Sequence, residues 1–460
     1  MDRTFTDSAP GESPAAGPKP RPYEGIELRG GEIGGLAPSI IERLRGAGYA
    51  AYLVGGCVRV LLLGRAPKDF YVATSARPEE LLRLFPGAGQ VGAHFGVVLV
   101  RDVEVATFRS DLEYRDGRHP DGVRFETNPK EDARRRDFTI NALLLDPVSG
   151  EVLDYVDGRA DLAAGVIRAI GDPERRFRED HLRLLRAVRF AARLGFEIEP
   201  TTFAAMRELA PLIHSVAAER VRDELARILT EGGVRRGFEL LNASGLLHEV
   251  LPEVEAMKGV EQPPEFHPEG DVWVHTLIML EGLREPSVEL ALGVLLHDVG
   301  KPGTFRVADR IRFDGHVELG VEIAHRILTR LKFPNDVIDA TEALIANHMK
   351  FKDVPKMRES RLKRFLRMPG FDAHMELHRL DCTSSHGHLD NYEFVRRKLA
   401  ETPPEVLKPV PLITGRDLIA AGYRPGPKFG AVLSEVEDAQ LERRIATREE
   451  AMEMARGLWT

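Results

Sequence analysis

From Arg178 almost to Thr460, apolar residues return at helical spacing, beginning with Leu182, Leu185, Val188, Phe190 and Leu194. That period commits most of the chain to helices packed through one face. The stretch from Ala50 to about Arg109 obeys a different rule. There, AYLVGG, DFYVAT, HFGVVLV and VEVATFR are short apolar runs punctuated by Gly and Pro, which predicts strands, with a short helix around Val58 to Leu63. The fold class is therefore α+β and multidomain: a small β-sheet head, then a long all-helical body. With 460 residues, and roughly 150 per domain, about three domains fit. Pro263-Pro264, Pro403-Pro404 and Pro425-Gly426-Pro427 punctuate the helical body, and no fixed-period repeat runs through it. The boundaries read as a disordered tail over 1–28, a head over 29–172, a helical neck over 173–262, a histidine-rich domain over 263–400 and a helical tail over 401–460. The tail assignment rests on the Pro, Ala, Gly and Ser of residues 6–20.

Composition narrows the classes. No apolar run reaches the ~20 residues a membrane span needs, and Arg59 interrupts the best candidate. Met1-Asp2-Arg3-Thr4 lacks the apolar core of a secretory signal. Cys57 and Cys382 are the two cysteines, which excludes a disulfide framework and makes a reducing cytoplasm the expected location. A net charge of −8 argues against a blanket nucleic-acid coat but leaves local patches open. Two stripes stand out: seven arginines and three acids between Glu174 and Arg193, and eight basic residues and two acids between Lys350 and Arg367. Each is either a phosphate-facing surface or a solvated helix face. Ten of the fifteen histidines fall between His267 and His388, which points to a site.

In the head, Gly55-Gly56 closes an apolar strand and opens a helix, a place where backbone N–H groups can approach phosphate, or where a tight turn is needed. Asp69 and, further on, Glu104 are acids of adjacent predicted strands that could hold Mg²⁺ for phosphoryl or nucleotidyl transfer. YLVGGCVR, KDF, VAT, VGAHFGVVLV, VATFRSD, YRDGRHPD, RRDFTINAL, ERRFREDHLRLLRAVRFAARLGF and ERVRDEL then follow in order, up to PLITGRDLIAAGYRPGPKFG. This series resembles the bacterial class II tRNA nucleotidyltransferase and poly(A) polymerase family over nearly the whole chain.

The resemblance implies transfer of C and A from CTP and ATP to the 3′ end of tRNA, with Asp69 and Glu104 as catalytic metal-holding acids. It also implies nucleotide binding by Gly55, Gly56, Arg59, Arg136, Asp137, Asn141, Asp180, Arg183 and Arg186, and RNA contacts from Arg189 and Arg193. Asp180 and Arg183, three apart and so on one helix face, would read the base edge; an intrahelical ion pair is the other reading. An Asp–Arg network locking a helix start is the other reading for Arg136, Asp137 and Asn141. Ser110 to Asp121 matches the flexible loop tied to adding A. Two positions depart from the pattern. Tyr71 stands where the second acid of an Asp-x-Asp pair belongs, and a phenol with a pKa near ~10 is a poor hard-metal ligand. Val60 stands where Gly-Gly-x-Val-Arg ends in Asp. Asp102 has the parity to substitute, two residues before Glu104, but Arg101-Asp102 reads as a hairpin turn.

In the histidine-rich region His275 lies in an apolar helical run, and His297-Asp298 precedes Val299-Gly300-Lys301, with His316, His348 and Asp381 beyond. Imidazole and carboxylate suit Mn, Fe, Ni or Zn. The pattern resembles the HD metal-dependent phosphohydrolase superfamily. It implies His275, His297, Asp298 and Asp381 on one metal, with His316, His348 and Lys301 serving a second metal or the substrate phosphate. The expected function is C and A addition to tRNA, with competence turning on Tyr71 and Val60. The alternatives are an HD 2′,3′-cyclic phosphodiesterase or phosphatase whose head only binds, a poly(A) polymerase, and a silent tRNA-binding protein. The oligomeric state is not legible.

Overall fold

The structure, a computed structural model, describes residues 35–90, 96–111, 122–265 and 267–459. The expected 1–28 tail and residues 112–121 of the A-addition loop lie outside them. The chain divides after Leu209 into two compact units. No described helix is long and apolar enough to cross a membrane.

The first unit is built on a seven-stranded sheet. Its strands are β1 (Ala51–Val54), β2 (Tyr71–Thr74), β3 (Gly89–Gln90), β4 (Val97–Val100), β5 (Val103–Thr107), β8 (Leu144–Leu145) and β9 (Val152–Leu153), in the order β3-β4-β5-β2-β1-β8-β9. A separate ribbon pairs β6 (Arg109–Asp111) with β7 (Val123–Phe125). β4 and β5 form the expected hairpin: Val100 pairs with Val103, and Arg101 takes φ 55° in the tight turn. Asp102 therefore belongs to the turn. β2 and β5 are parallel and registered so that Tyr71 lies beside Glu104. Val54, Ala73, Phe108, Ala142 and Leu144 form a core against the sheet. The helix after β1 runs Gly56–Leu62, two residues earlier than its expected start.

Three further helices end this unit, Pro173–Glu179, Arg183–Leu194 and Pro200–Leu209. Asp172 caps the first by accepting from Glu174 N at 3.1 Å, with Pro173 at the first turn, where a missing N–H costs nothing. Gly195, at φ 68°, closes the second in the left-handed conformation.

The second unit is helical apart from a small ribbon, Arg306–Val307 with Ile311–Arg312, which the helical period did not anticipate. The helix Val288–Leu296 packs on Asn335–Asn347, which also packs on His316–Arg330; Val272–Glu281 and Phe371–Ser384 complete the bundle. The two helices that deliver His275 and His297 are apolar on nearly every face, as fully enclosed helices must be. Pro404 and Pro427 begin helices, Pro404–Leu407 and Pro427–Leu441, rather than only breaking them.

Candidate functional site

Position 71 lies in register with Glu104 in the head. In a parallel pair, registered residues point to the same face, so an acid at 71 would stand next to Glu104. Tyr71 is 38% exposed, and Glu104 and Asp69 are exposed as well. Asp69 lies in a bend two residues ahead of β2, so the strand-parity argument places 71 but not 69. Hard carboxylate oxygens suit Mg²⁺. The set holds two acids, however, where the pattern calls for three, and Val60 adds none.

Beside it lies a buried cationic cluster. Arg59, Arg186 and Arg189 stand over the Phe190 ring, at 4.9, 5.3 and 4.2 Å. Asp137 accepts from Arg186 Nε and Nη2 at 2.9 and 2.7 Å, and from Phe138 N and Asn141 Nδ2 at 2.8 and 3.0 Å. Burial opposes its charge, but Arg186 and Asn141 hold the carboxyl well below the usual range. Arg59 donates to Asn141 Oδ1, and burial, countered by Asp137, lowers its pKa to about 10. Asp137 and Asn141 are thus fully engaged inside the fold, as the helix-locking reading has it. Gly55 takes φ +75°, in the left-handed region, which explains the glycine, and Arg136 Nη1 would lie in ordinary contact, 3.5 Å from a Cβ placed there. Arg136 is itself held by Asp132 at 2.9 Å.

One expectation needs correction. Asp180 and Arg183 do not share one helix face: Asp180 is extended, at the break between two helices, and Arg183 opens the second. Asp180 accepts from Leu182 N at 3.2 Å, while Arg183 pairs with Glu179 at 2.9 Å. The ion pair is therefore with Glu179, on which Arg175 and Arg176 also converge. In the Lys350–Arg367 stripe, read as either a phosphate-facing surface or a solvated face, four of the eight basic residues are engaged within the fold. Arg358 and Arg364 pair with Asp438, Arg364 and Arg367 with Glu437, and Lys363 Nζ donates to Leu441 O. Of the remaining predicted RNA contacts, Arg189 is buried and Arg193 exposed.

The second centre gathers every predicted HD residue. His275 Nε2 is 3.3 Å from Asp381 Oδ1, His297 Nε2 is 3.1 Å from Asp298 Oδ2, and His316 Nε2 is 3.8 Å from Asp298 Oδ1 and 3.4 Å from His348 Nε2. Three overlapping sets lie close enough to share an ion, His275–His297–Asp381, Asp298–His316–His348 and His267–Glu269–His275; the first two gather the predicted ligands, and Asp298, in the second, also lies 3.1 Å from His297 of the first. A backbone carbonyl can only accept. The contacts of His297, His316 and His348 Nδ1 with Val294, Phe313 and Ile345 O, at 2.9, 2.8 and 2.7 Å, therefore place the proton on Nδ1 and aim a bare Nε2 inward. Nε2 of both His275 and His297 is buried without a hydrogen-bond partner. Lone pairs facing one another and facing carboxylates repel unless a cation lies between them, so the residues fit a transition metal. With no cation bound, burial opposes a charge on His275, yet Asp381 and Glu269 raise its pKa to about 9, so a proton rather than a metal fills the gap to Asp381; burial, aided by His297, lowers His348 to about 4.

Lys301 Nζ donates to Asp298 Oδ2 and to Gln262 Oε1, both at 2.6 Å, so it orients a ligand as well as facing the cavity. That cavity measures about 810 Å³, and Arg310, Arg312 and Lys352 add positive charge to its wall. A Cβ on Gly300 would lie 2.1 Å from His316 O and 2.7 Å from Gly320 N. This close approach seats His297-Asp298 against the start of the His316 helix. Gly300→Ala is accordingly expected to cost about 1–3 kcal/mol, read in a denaturant titration, and to weaken metal binding at the second set. The sequence reading did not single out His267, Glu269 or Gln262; the His-Pro-Glu-Gly-Asp turn just before the His275 helix was the signal available.

Fold and site together define a protein with two centres, a nucleotidyltransferase-type sheet head and an enclosed histidine–aspartate centre. Residues 51–168 match the poly A polymerase head domain, 195–258 the probable RNA and SrmB-binding site of polymerase A, and 271–377 the HD domain. The chain is 31% identical to the CCA-adding enzyme of Streptococcus mutans, over 90% of this chain and 94% of that one. It is 33% identical to that of Levilactobacillus brevis, over 87% and 92%. The crystal structure of the Bacillus stearothermophilus CCA-adding enzyme in complex with CTP superposes with a TM-score of 0.70 at 28% identity, over 92% and 97%. The chain belongs to the CCA-adding enzyme family.

Proposed function

We propose that this protein adds C and A from CTP and ATP to the 3′ end of tRNA, slowly, and that its HD centre hydrolyses phosphoesters of RNA ends or nucleotides. The observation carrying the first part is the β2–β5 register, which keeps Glu104 beside position 71 in a head of this family while supplying a phenol in place of an acid. Asp69 and Glu104 would hold Mg²⁺, which when bound offsets charge on the transferring phosphoryl group. Arg59, Arg186 and Arg189 supply positive charge for a triphosphate, with Asp137 and Asn141 fixing the guanidinium planes. Gly55 and Gly56 open the helix Gly56–Leu62 toward it, with Arg136 alongside. Asp180 and Arg183 read the base from the helix break, and Arg189 and Arg193 extend the positive surface toward RNA. The CTP complex of the Bacillus stearothermophilus relative supports nucleotide binding by this head.

The second activity is favoured by the unpartnered, buried Nε2 atoms of His275 and His297. His275, His297 and Asp381 would hold one metal, and Asp298, His316 and His348 another. Such a metal, when bound, lowers the pKa of water toward neutrality. Lys301, Arg310, Arg312 and Lys352 attract and orient a phosphate entering this open cavity. Incorporation of labelled CTP and ATP into tRNA lacking its CCA end tests the first activity; release of phosphate or of a ring-opened product from 2′,3′-cyclic nucleotides tests the second.

A further inference from the structure

We propose that Glu269 is a positioning residue of the HD centre, an inference that rests on the hydrolytic reading above: it fixes the ring of His275 and the nitrogen that ring offers to metal. Glu269 is not among the predicted ligands. It lies in the turn that precedes the helix Val272–Glu281. Its Oε1 accepts from His275 Nδ1 at 2.6 Å and from His267 Nδ1 at 2.9 Å. The other oxygen, Oε2, is buried with no hydrogen-bond partner, so the carboxylate's hydrogen bonding goes to these two rings.

The other histidines of the centre do not share this arrangement. His297, His316 and His348 each give their Nδ1 proton to a neutral backbone carbonyl of their own local turn. His275 is the fourth residue of its helix, and its Nδ1 is met from elsewhere, closely by Glu269 at 2.6 Å and more distantly by Ser384 Oγ at 3.4 Å. An anionic acceptor locks the tautomer with Nε2 bare and makes that nitrogen more basic, as a carboxylate behind a metal-bound imidazole does.

The turn that carries Glu269 is held firmly enough to do this. Asp271 Oδ1 accepts from Val274 N at 2.7 Å to cap the helix, and Oδ2 accepts from Gly259 N at 2.6 Å. Val272 N donates to Val260 O at 3.0 Å. From the same segment Gln262 holds Lys301, which holds Asp298. One loop thus orients a residue of each ligand set.

The test is a titration of the full-length, chelator-stripped protein with Co²⁺, followed by calorimetry and by the visible absorption of the bound ion. The unaltered chain is expected to take up metal at both sets. Glu269→Ala is expected to lose ~10- to 100-fold in affinity at one set while leaving the other as it was. Glu269→Gln keeps the shape and an accepting oxygen without the charge; it is expected to fall between the two, with a shifted absorption band. Circular dichroism reports folding for each. Both variants binding Co²⁺ like the unaltered chain, in affinity and spectrum, would overturn the proposal while leaving the hydrolytic reading intact. Failure of the unaltered chain to bind Co²⁺ would overturn both.

Discussion

Replacing Tyr71 with Asp is expected to raise the rate of nucleotide incorporation into tRNA lacking CCA by ~10²- to 10⁴-fold, the scale of one ligand in a two-metal clamp. The register explains why one substitution should suffice. Position 71 is already beside Glu104, on the same face, and about a third exposed, so an aspartate there needs no rearrangement of β2 or β5. The gain should appear in kcat with little change in KM for CTP, because the arginines around Phe190, proposed to bind the triphosphate, are untouched. Val60→Asp added to Tyr71→Asp should raise the rate further. A single-turnover assay with labelled CTP separates these effects. An unchanged rate in Tyr71→Asp would show that the carboxylate count does not limit this head.

The second large effect is at Asp298. It lies 3.1 Å from His297, 3.8 Å from His316 and 2.6 Å from Lys301, so it touches both ligand sets and the cation beside them. Burial disfavours its charge, yet His297 and Lys301 hold it ionised, well below the usual carboxylate range. Asp298→Ala removes a proposed ligand and leaves Lys301 Nζ with Gln262 and the Phe313 ring. Hydrolysis of 2′,3′-cyclic nucleotides is expected to fall by at least ~10³-fold, as for a metal-generated nucleophile. Transfer by the head should be unaffected. Loss of both activities together would mean that the two centres are not chemically independent.

These contrasts follow from what the sequence could and could not carry. The strands around Tyr71 and Glu104 are short apolar runs, legible by residue type and punctuation; the His297-Asp298 pair stood out as a motif, and its distant partners were implied by the family resemblance. The pairing of Arg358, Arg364 and Arg367 was not legible, because their carboxylates, Glu437 and Asp438, arrive from a helix some seventy residues on. Helical spacing also misplaced Asp180: the period of Leu182, Leu185 and Val188 gives no sign that the backbone turns extended at 180. Glu269 escaped notice for a related reason. An acid that acts through another side chain carries no spacing rule of its own, and only the folded turn brings Glu269 to His275.

The most direct measurement is incorporation of labelled C and then A into tRNA lacking its 3′ end by the unaltered chain, with Mg²⁺, beside Asp69→Ala. Two acids are expected to sustain slow incorporation that vanishes in Asp69→Ala. No incorporation by the unaltered chain above the Asp69→Ala background, at enzyme in excess over tRNA, would contradict transfer by this head.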